Sequence, residues 1–190
     1  STLWDLAFWT IPEFPELRGD GAFETRDYYY SRVLPKSYAC LVGHHHAKEL
    51  AVKIYNISPE RVFVIPFKAS KFLVDMEACG KFKNTKNNSL FNLPEKKYIF
   101  YPAQYWAHKN HVYIVDALKL LKENYGIDIT LVSTGSDKGN YKHLKEIIEE
   151  SGMTNNVIFK GFLCSEDVYS LYKNALAVVM PTYLGPASLP

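Results

Sequence analysis

The sequence contains few cysteines and no long apolar run. Its three cysteines, Cys40, Cys79 and Cys164, are far apart and form no CxxC pair, which argues against a disulfide scaffold or a cysteine zinc site and favours a reducing compartment. No apolar stretch approaches the roughly 20 residues that cross a bilayer, and the chain does not open with a basic region followed by an apolar one. We therefore predict a cytoplasmic protein and leave peripheral contact with a membrane open.

An excess of charge of one sign is also missing. The 22 Lys and Arg residues nearly balance the 20 Asp and Glu residues, giving a formal net charge of +2, so the overall field favours neither nucleic acid nor an anionic membrane as partner. Seven lysines do fall between residues 68 and 97. Such a segment suits a solubilising surface better than a surface for anionic lipid or nucleic acid, and we keep those two partners only as an alternative hypothesis.

Three consecutive histidines, His44, His45 and His46, form a cluster of a metal-ligating residue type. Adjacent side chains cannot converge on one ion without unusual backbone geometry, and a predicted helix start follows them. The pattern therefore predicts a polar surface here and no metal site.

The C-terminal half alternates short apolar runs with segments of helical period. The helix predicted from about Lys109 to residue 124 carries an apolar stripe and stops at Gly126, and Asn140 and Ser165 are N-cap candidates for the next two helices. Buried strands separated by helices are typical of a parallel sheet covered on both faces. We therefore predict an α/β, Rossmann-like, doubly wound sheet with strands at residues 97–101, 129–132, 157–160 and 176–180.

The N-terminal half contains fewer such units and resembles the end of a second α/β domain whose earlier strands are absent. The Lys- and Asn-rich segment 81–97 is typical of an exposed linker. We therefore predict a partial N-terminal domain with linker at 1–94 and a partial C-terminal domain at 95–190. In the first of these the predicted elements are an aromatic, Pro-rich opening at 4–17, helices at 23–34 and 47–55, and strands at 39–42 and 62–65.

A doubly wound sheet binds its ligand beyond the carboxyl ends of the strands, so we searched the loops after residues 101, 132, 160 and 180. The first loop, PAQYWAHKNH, brings Lys109 to a helix start, where a cation beside free backbone N–H groups suits a phosphate. A solvated lysine is the alternative interpretation.

The loop after the second predicted strand holds Gly135 and Gly139 among small polar residues. Glycine lets a ligand approach the backbone closely, but it is also typical of ordinary turns, and both interpretations stay open. We include Gly135 among the candidate ligand-binding residues. The loop is neither a Walker loop nor a GxGxxG fingerprint, which argues against ATP hydrolysis and dinucleotide binding.

The segment after the fourth predicted strand reads PTYLGPASLP. Gly185, Pro186 and Ser188 predict a turn that leads to another helix start, whose exposed amides suit a phosphate or a sugar. A plain loop is the alternative.

Residues 98–190 resemble the C-terminal domain of the family 4 (glycosyl transferases group 1) enzymes of the GT-B fold. Lys109 stands where the family has a lysine that contacts the donor diphosphate, and Gln104 stands where the family has an arginine. PTYLGPASLP is similar to the start of the family signature PSxxEGFGLPxxE, with Gly185 in place of the first glutamate, as in an FGPxxLP variant. The resemblance implies that the donor sugar and phosphates lie near Gly185, Pro186 and Ser188, and the base near Gly161, Phe162 and Leu163.

The N-terminal half resembles the same branch of the family, through WDLAFWTIPEFPEL, FETRDYYY, LPKS and RVFVIPF. Relatives commonly carry a DLxHR-like sequence in the first of these segments. Asp5 and Leu6 agree with it, whereas Phe8 replaces the histidine. A role of that histidine in catalysis or acceptor binding would therefore not transfer to this chain.

The resemblance implies a retaining, hexosyltransferase-like glycosyltransferase of polysaccharide biosynthesis. It would move a sugar from a nucleoside-diphosphate sugar, its donor substrate, to a glycan or lipid-linked acceptor, with Lys109 as the catalytic cation and with no metal, cofactor or nucleic-acid partner. The 1–94 segment would be the acceptor side and 95–190 the nucleotide-sugar side. The alternative is a catalytically degenerate nucleotide-sugar-binding module, which Gln104, Gly185 and Phe8 favour.

Overall fold

A computed structural model describes residues 1–68, 71–78, 94 and 96–184. Within this part the chain forms two compact units, unit 1 at residues 1–68 and 184 and unit 2 at residues 71–78, 94 and 96–183. The domain boundary predicted near residue 94 stays a prediction, because residues 79–93 lie outside the described part. Within the described residues, no helix is both long enough and apolar enough to cross a membrane.

Unit 1 is built around a three-stranded parallel sheet with strand order β1-β2-β3. Its buried core includes Leu3, Val42 and Val62 from the three strands. The strands and helices predicted after residue 22 are confirmed within a few residues, whereas β1 precedes the predicted opening segment 4–17, where no element was predicted. The elements are β1 Thr2–Leu3, α1 Ala7–Thr10, α2 Pro15–Arg18, α3 Ala22–Val33, β2 Cys40–Val42, α4 His45–Tyr55 and β3 Val62–Val64.

Unit 2 contains a four-stranded parallel sheet with strand order β6-β5-β4-β7. The predicted alternation of strands and helices and the common strand direction are therefore confirmed. The elements are α5 Lys71–Ala78, β4 Tyr98–Pro102, α6 His111–Tyr125, β5 Thr130–Thr134, α7 Tyr141–Glu150, β6 Val157–Phe159, α8 Ser165–Asn174 and β7 Ala177–Val178.

Both faces of the unit 2 sheet are covered, as the doubly wound class requires. Tyr101 and Leu131 point into one core, which α6 and α7 complete. Phe100 and Val132 point into the opposite core, where Leu171 of α8 packs. Successive strand residues thus alternate between two apolar layers, which explains why the strands appear in the sequence as continuous apolar runs.

The helix ends of unit 2 follow the sequence signals in part. Gly126 ends α6 in the left-handed conformation, with φ of 65°, as predicted. Asn140 occupies the N-cap position of α7, but its side chain makes no capping hydrogen bond. Asp137 supplies that bond instead, because its Oδ1 accepts from the backbone N–H of Tyr141 at 3.3 Å. Ser165 is the first residue of α8 and not its N-cap.

Candidate functional site

The strand order of unit 2 creates a switch point between β4 and β7. From β4 the chain proceeds to β5 and β6 on one side of the sheet and then returns to place β7 on the other side. The loops after β4 and β7 therefore diverge at the carboxyl edge, which is where ligands bind in open parallel sheets. Lys109 lies in the first of these loops.

Three hydrogen bonds join the loop after β4 to the segment after β7. The carbonyl oxygen of His108 accepts from the backbone N–H of Tyr183 at 2.9 Å and from the hydroxyl of Thr182 at 3.3 Å. The side-chain amide of Asn110 donates to the carbonyl oxygen of Pro181 at 3.3 Å. The residues on both sides of Lys109 are thereby fixed to the segment that follows β7.

The sequence predicted Lys109 in the first turn of α6. In the structure, Lys109 lies instead in a 3₁₀ turn over Ala107–Lys109. Asn110 causes the difference, because it adopts a left-handed backbone conformation with φ of 55° and separates the turn from α6. The backbone of Lys109 is held from both sides, since Tyr101 donates its hydroxyl to the Lys109 carbonyl at 2.9 Å and the Lys109 N–H donates to Trp106 at 3.2 Å. The residue as a whole is 9% exposed.

His111, the first residue of α6, lies next to this turn. Its ring is fully buried and packs against the rings of Tyr101 and Tyr105, at centroid distances of 4.6 and 5.2 Å. Burial lowers the pKa of His111 to about 4, and the nearby charge of Lys109 acts in the same direction. The imidazole is therefore neutral at pH 7 and adds no positive charge beside Lys109.

Gly135 allows the loop after β5 to approach the loop after β4. A Cβ atom at this position would lie 2.5 Å from the carbonyl oxygen of Ala103, and the φ of 145° is also unfavourable for other residues. The N–H of Gly135 donates to the carbonyl of Gly161 at 2.8 Å, and the N–H of Tyr105 donates to the carbonyl of Ser136 at 3.0 Å. Backbone hydrogen bonds thus join the loops after β4, β5 and β6.

These joined loops surround a cavity of about 260 Å³. Three aromatic rings form much of its wall, with centroid distances of 5.0 Å between Tyr105 and Tyr141 and 4.9 Å between Tyr141 and Phe159. Burial raises the pKa of Tyr105 to about 12, so its hydroxyl stays protonated. A flat aromatic ligand can stack in such a cavity. The complete lining is Tyr105, Gly135, Asp137, Tyr141, Phe159 and Gly161.

Comparison with known proteins identifies the family to which the chain belongs. The family model of Glycosyl transferases group 1 matches residues 82–190. The chain belongs to this family. The uncharacterized glycosyltransferase MJ1607 of Methanocaldococcus jannaschii is 24% identical over 139 residues, which cover 73% of this chain and 35% of the relative. The chain thus spans about a third of the length of this relative.

Solved structures of low sequence identity show the fold, which is that of GT-B glycosyltransferases. HepE of Anabaena, in complex with UDP and glucose, has a TM-score of 0.62 at 16% identity and covers 97% of this chain and 46% of its own. WaaG, a glycosyltransferase involved in lipopolysaccharide biosynthesis, has a TM-score of 0.63 at 17% identity over 88% of this chain and 44% of its own. TarM of S. aureus, in a complex containing UDP, has a TM-score of 0.63 at 12% identity over 95% of this chain and 31% of its own.

The remaining candidate residues of this member of the family lie in different surroundings. Gln104 is exposed, and its side-chain oxygen accepts from the Trp106 indole N–H at 3.0 Å. Phe162 is 85% exposed, whereas Leu163 packs against the core on the α8 side. Gly161 has a φ of 65°, and a Cβ atom at this position would point into open space. Gly185, Pro186 and Ser188 lie outside the described residues.

Two unit 1 predictions can also be compared with the structure. Phe8 is 1% exposed and packs edge-on against Phe23 at 5.7 Å, so this position belongs to the core of unit 1. His44 caps α4, because its Nδ1 accepts from the N–H of Ala47 at 3.1 Å. In the described parts of both units, no group of three or more His, Cys, Asp or Glu residues could hold a metal ion.

The sequence interpretation missed the aromatic wall and His111. Each wall residue, Tyr105, Tyr141 and Phe159, lies at or just beyond the end of a strand or at the start of the following helix. Aromatic residues near the carboxyl ends of predicted parallel strands are therefore the signal that could have found this cavity.

Proposed function

We propose that this protein is a retaining glycosyltransferase that moves a hexose from a nucleoside-diphosphate sugar to a glycan or lipid-linked acceptor. The observation that carries the proposal is the set of hydrogen bonds joining the Lys109 loop to the segment after β7 at the switch point. A buried cation in a backbone-fixed turn beside such a crevice suits a ligand with concentrated negative charge. A sugar nucleotide carries that charge on its diphosphate.

Lys109 is the proposed catalytic cation. When the sugar is transferred, the bond between its anomeric carbon and the diphosphate oxygen breaks, the acceptor oxygen bonds to that carbon, and the acceptor hydroxyl releases its proton. Negative charge develops on the departing diphosphate, and a fixed cation stabilises it without reorganisation. This charge is what a divalent metal would otherwise supply, so we propose that the transfer is independent of a metal and of a further cofactor.

The aromatic cavity is the proposed site of the base. Gly161 lines it directly before Phe162 and Leu163, and Tyr105, Tyr141 and Phe159 offer faces for stacking. Structures of HepE and TarM contain UDP, so uridine nucleotides are the first to test. By the resemblance, Gly185, Pro186 and Ser188 hold the sugar and phosphates. A cytoplasmic location is part of the proposal.

A thermal-shift panel of nucleoside diphosphates and their sugars tests the donor site. A ligand at 100 times its Kd stabilises the folded protein by about 2.7 kcal/mol, so a true donor raises Tm. Lys109→Met removes the charge and keeps most of the side-chain volume, and we expect it to abolish the shift. Lys119→Met, which removes a lysine from the middle of α6, is the matched control and keeps the shift. Equal shifts in both variants would contradict the role of Lys109.

A nucleotide-sugar-binding module without transfer activity is the second candidate. Gln104 favours it, because this exposed side chain carries no charge and bonds to Trp106 where the family has an arginine. The discriminating measurement is release of free nucleoside diphosphate from each donor that gives a thermal shift. Binding without release, across glycan and lipid-linked acceptors, would favour the module over the enzyme.

A further inference from the structure

Unit 1 carries a cavity of its own at the carboxyl edge of its sheet. Its volume is about 260 Å³, and it is lined by residues of β1 and β2 and by the segment 65–68 that follows β3. This is the edge at which parallel sheets bind ligands. The lining consists of Thr2, Leu3, Trp4, Leu41, Val42, Gly43, Ile65, Pro66, Phe67 and Lys68.

Two aromatic rings lie face to face at this cavity. The rings of Trp4 and Phe67 are stacked, with centroids 5.6 Å apart and planes inclined by 5°. Both remain accessible, since Trp4 is 56% and Phe67 38% exposed. We call this pair the Trp4–Phe67 platform.

The backbone of β2 determines where the platform lies. Gly43 follows β2 directly, and a Cβ atom at this position would lie 2.6 Å from the Phe67 ring. The absence of a side chain therefore lets Phe67 rest on the end of β2, where it stacks with Trp4. Stacking on Phe67 holds the indole of Trp4 in place, while more than half of the surface of Trp4 stays accessible to a ligand.

We infer that the Trp4–Phe67 platform binds a sugar ring of the acceptor. The apolar C–H face of a pyranose packs on an aromatic plane while its hydroxyl groups stay hydrated, and Thr2 and Lys68 also line the cavity and offer polar partners. The cavity is smaller than the roughly 300–1,000 Å³ of sites for drug-sized ligands, which suits a single ring. This inference rests on the proposed function, which supplies a glycan as acceptor.

Saturation-transfer NMR titrations with maltose, lactose and chitobiose test the platform directly. At least one disaccharide should bind with its ring C–H protons saturated from aromatic protons. Aromatic stacking is worth about 0.5–1.5 kcal/mol beyond area burial, so Trp4→Ala should weaken that affinity about 2- to 10-fold, and Trp4→Phe less. Tyr38→Ala, which removes a 98% exposed ring before β2, is the control and keeps the affinity.

A second variant covers the case in which Trp4→Ala does not fold. Gly43→Ala leaves Trp4 in place but pushes the Phe67 ring away, and it should weaken the same disaccharide. Unchanged affinity in the folded Trp4 or Gly43 variants, or no binding by any of the three sugars, would overturn the inference. Binding of phosphatidylcholine vesicles in place of sugars would overturn it as well.

The thermal shift by UDP separates this inference from the proposed function. Trp4→Ala lies in unit 1 and should leave the UDP shift unchanged, because Lys109 and the aromatic wall of Tyr105, Tyr141 and Phe159 belong to unit 2. Loss of sugar affinity with an intact UDP shift supports the platform. If UDP and its sugars bind nowhere while a disaccharide still binds through Trp4, the proposed donor chemistry fails and the platform stands.

Discussion

The two edges of the unit 2 sheet are held in different ways. At the amino edge, side chains form a network in which Asp128 accepts from Lys96 at 2.7 Å and from the side-chain amide of Asn156 at 2.6 Å. At the carboxyl edge, the loops are joined mainly through backbone groups, as in the bond from Gly135 to Gly161. At the switch point, the side-chain amide of Asn110 and the hydroxyl of Thr182 add two side-chain hydrogen bonds to these backbone bonds.

This difference predicts that substitutions in the network at the amino edge mainly change the stability of unit 2, whereas substitutions of ligand-facing side chains at the carboxyl edge mainly change donor binding and rate. The hydrogen bond from Lys96, followed by that from Asn156, lowers the pKa of Asp128, so the network stays ionised at neutral pH. At the opposite edge, the loop that carries Lys109 is joined to the segment after β7 through the carbonyl oxygens of His108 and Pro181. Substitutions at the two edges should therefore separate in their effects, and the following predictions test that separation from the largest expected effect to the smallest.

Lys109→Met should have the largest effect, on rate. Removing a preorganised charge from a developing anion typically costs on the order of 100- to 1000-fold in turnover. Release of nucleoside diphosphate under saturating donor measures it, and thermal unfolding measures stability in parallel. A rate within about 3-fold of the wild type would contradict the proposal that Lys109 stabilises the departing diphosphate.

Asn156→Ala should destabilise unit 2 without changing donor affinity. Asn156 is 1% exposed and, besides Asp128, it donates to the carbonyl of Ile129 and accepts from Lys122 at 2.9 Å. Leaving buried partners unsatisfied costs about 1–3 kcal/mol, measurable by urea unfolding. The control is Asn174→Ala, whose exposed side chain makes one bond within its own helix and should change stability by less than about 0.5 kcal/mol. Equal losses in both variants would contradict the special role of the network.

The sheet itself could be predicted from the sequence because its signals are local. Four apolar runs of strand length, separated by helical periods, are enough to predict parallel strands, and Gly126 gave the end of α6 correctly. The capping of α7 was predicted only in part, because Asn140 occupies the N-cap position while Asp137, in the preceding loop, accepts the hydrogen bond from Tyr141. Local signals thus predict the element but not which polar side chain completes it.

The candidate site was predicted only in part because it assembles from distant segments. Lys109 was identified from its loop, but the left-handed Asn110 that separates it from α6 has no distinct sequence pattern. Tyr105, Tyr141 and Phe159 meet only because β4, β5 and β6 are neighbours. Strand order therefore had to be known before the aromatic wall could be recognised.

His111 should make the stability of unit 2 depend on pH. Its pKa is about 4 in the folded protein, against 6.5 for an unperturbed histidine, so between these values the unfolded chain binds a proton that the folded chain does not. Unfolding free energy should therefore decrease as pH falls below 6.5, by about 2 kcal/mol at pH 5. Urea unfolding at pH 7 and pH 5 measures the change. His111→Phe keeps a ring between Tyr101 and Tyr105 and should reduce the difference; an unchanged difference would assign it to other groups.

Gln104→Arg should give the smallest effect, an increase in donor affinity. The side chain of Gln104 is exposed and accepts from the nearby Trp106 indole, so an arginine can be accommodated with little change in packing. A charge-assisted bond to a diphosphate is worth about 1.5–3 kcal/mol when buried, and solvent exposure reduces it to about 1 kcal/mol, which corresponds to roughly 5-fold tighter binding. Calorimetric titration with UDP measures it, with Gln104→Ala as the control that removes the amide without adding charge. A weaker or unchanged affinity of the arginine variant for UDP would mean that residue 104 does not face the phosphates. Lys109 would then be the remaining proposed phosphate contact in the loop after β4.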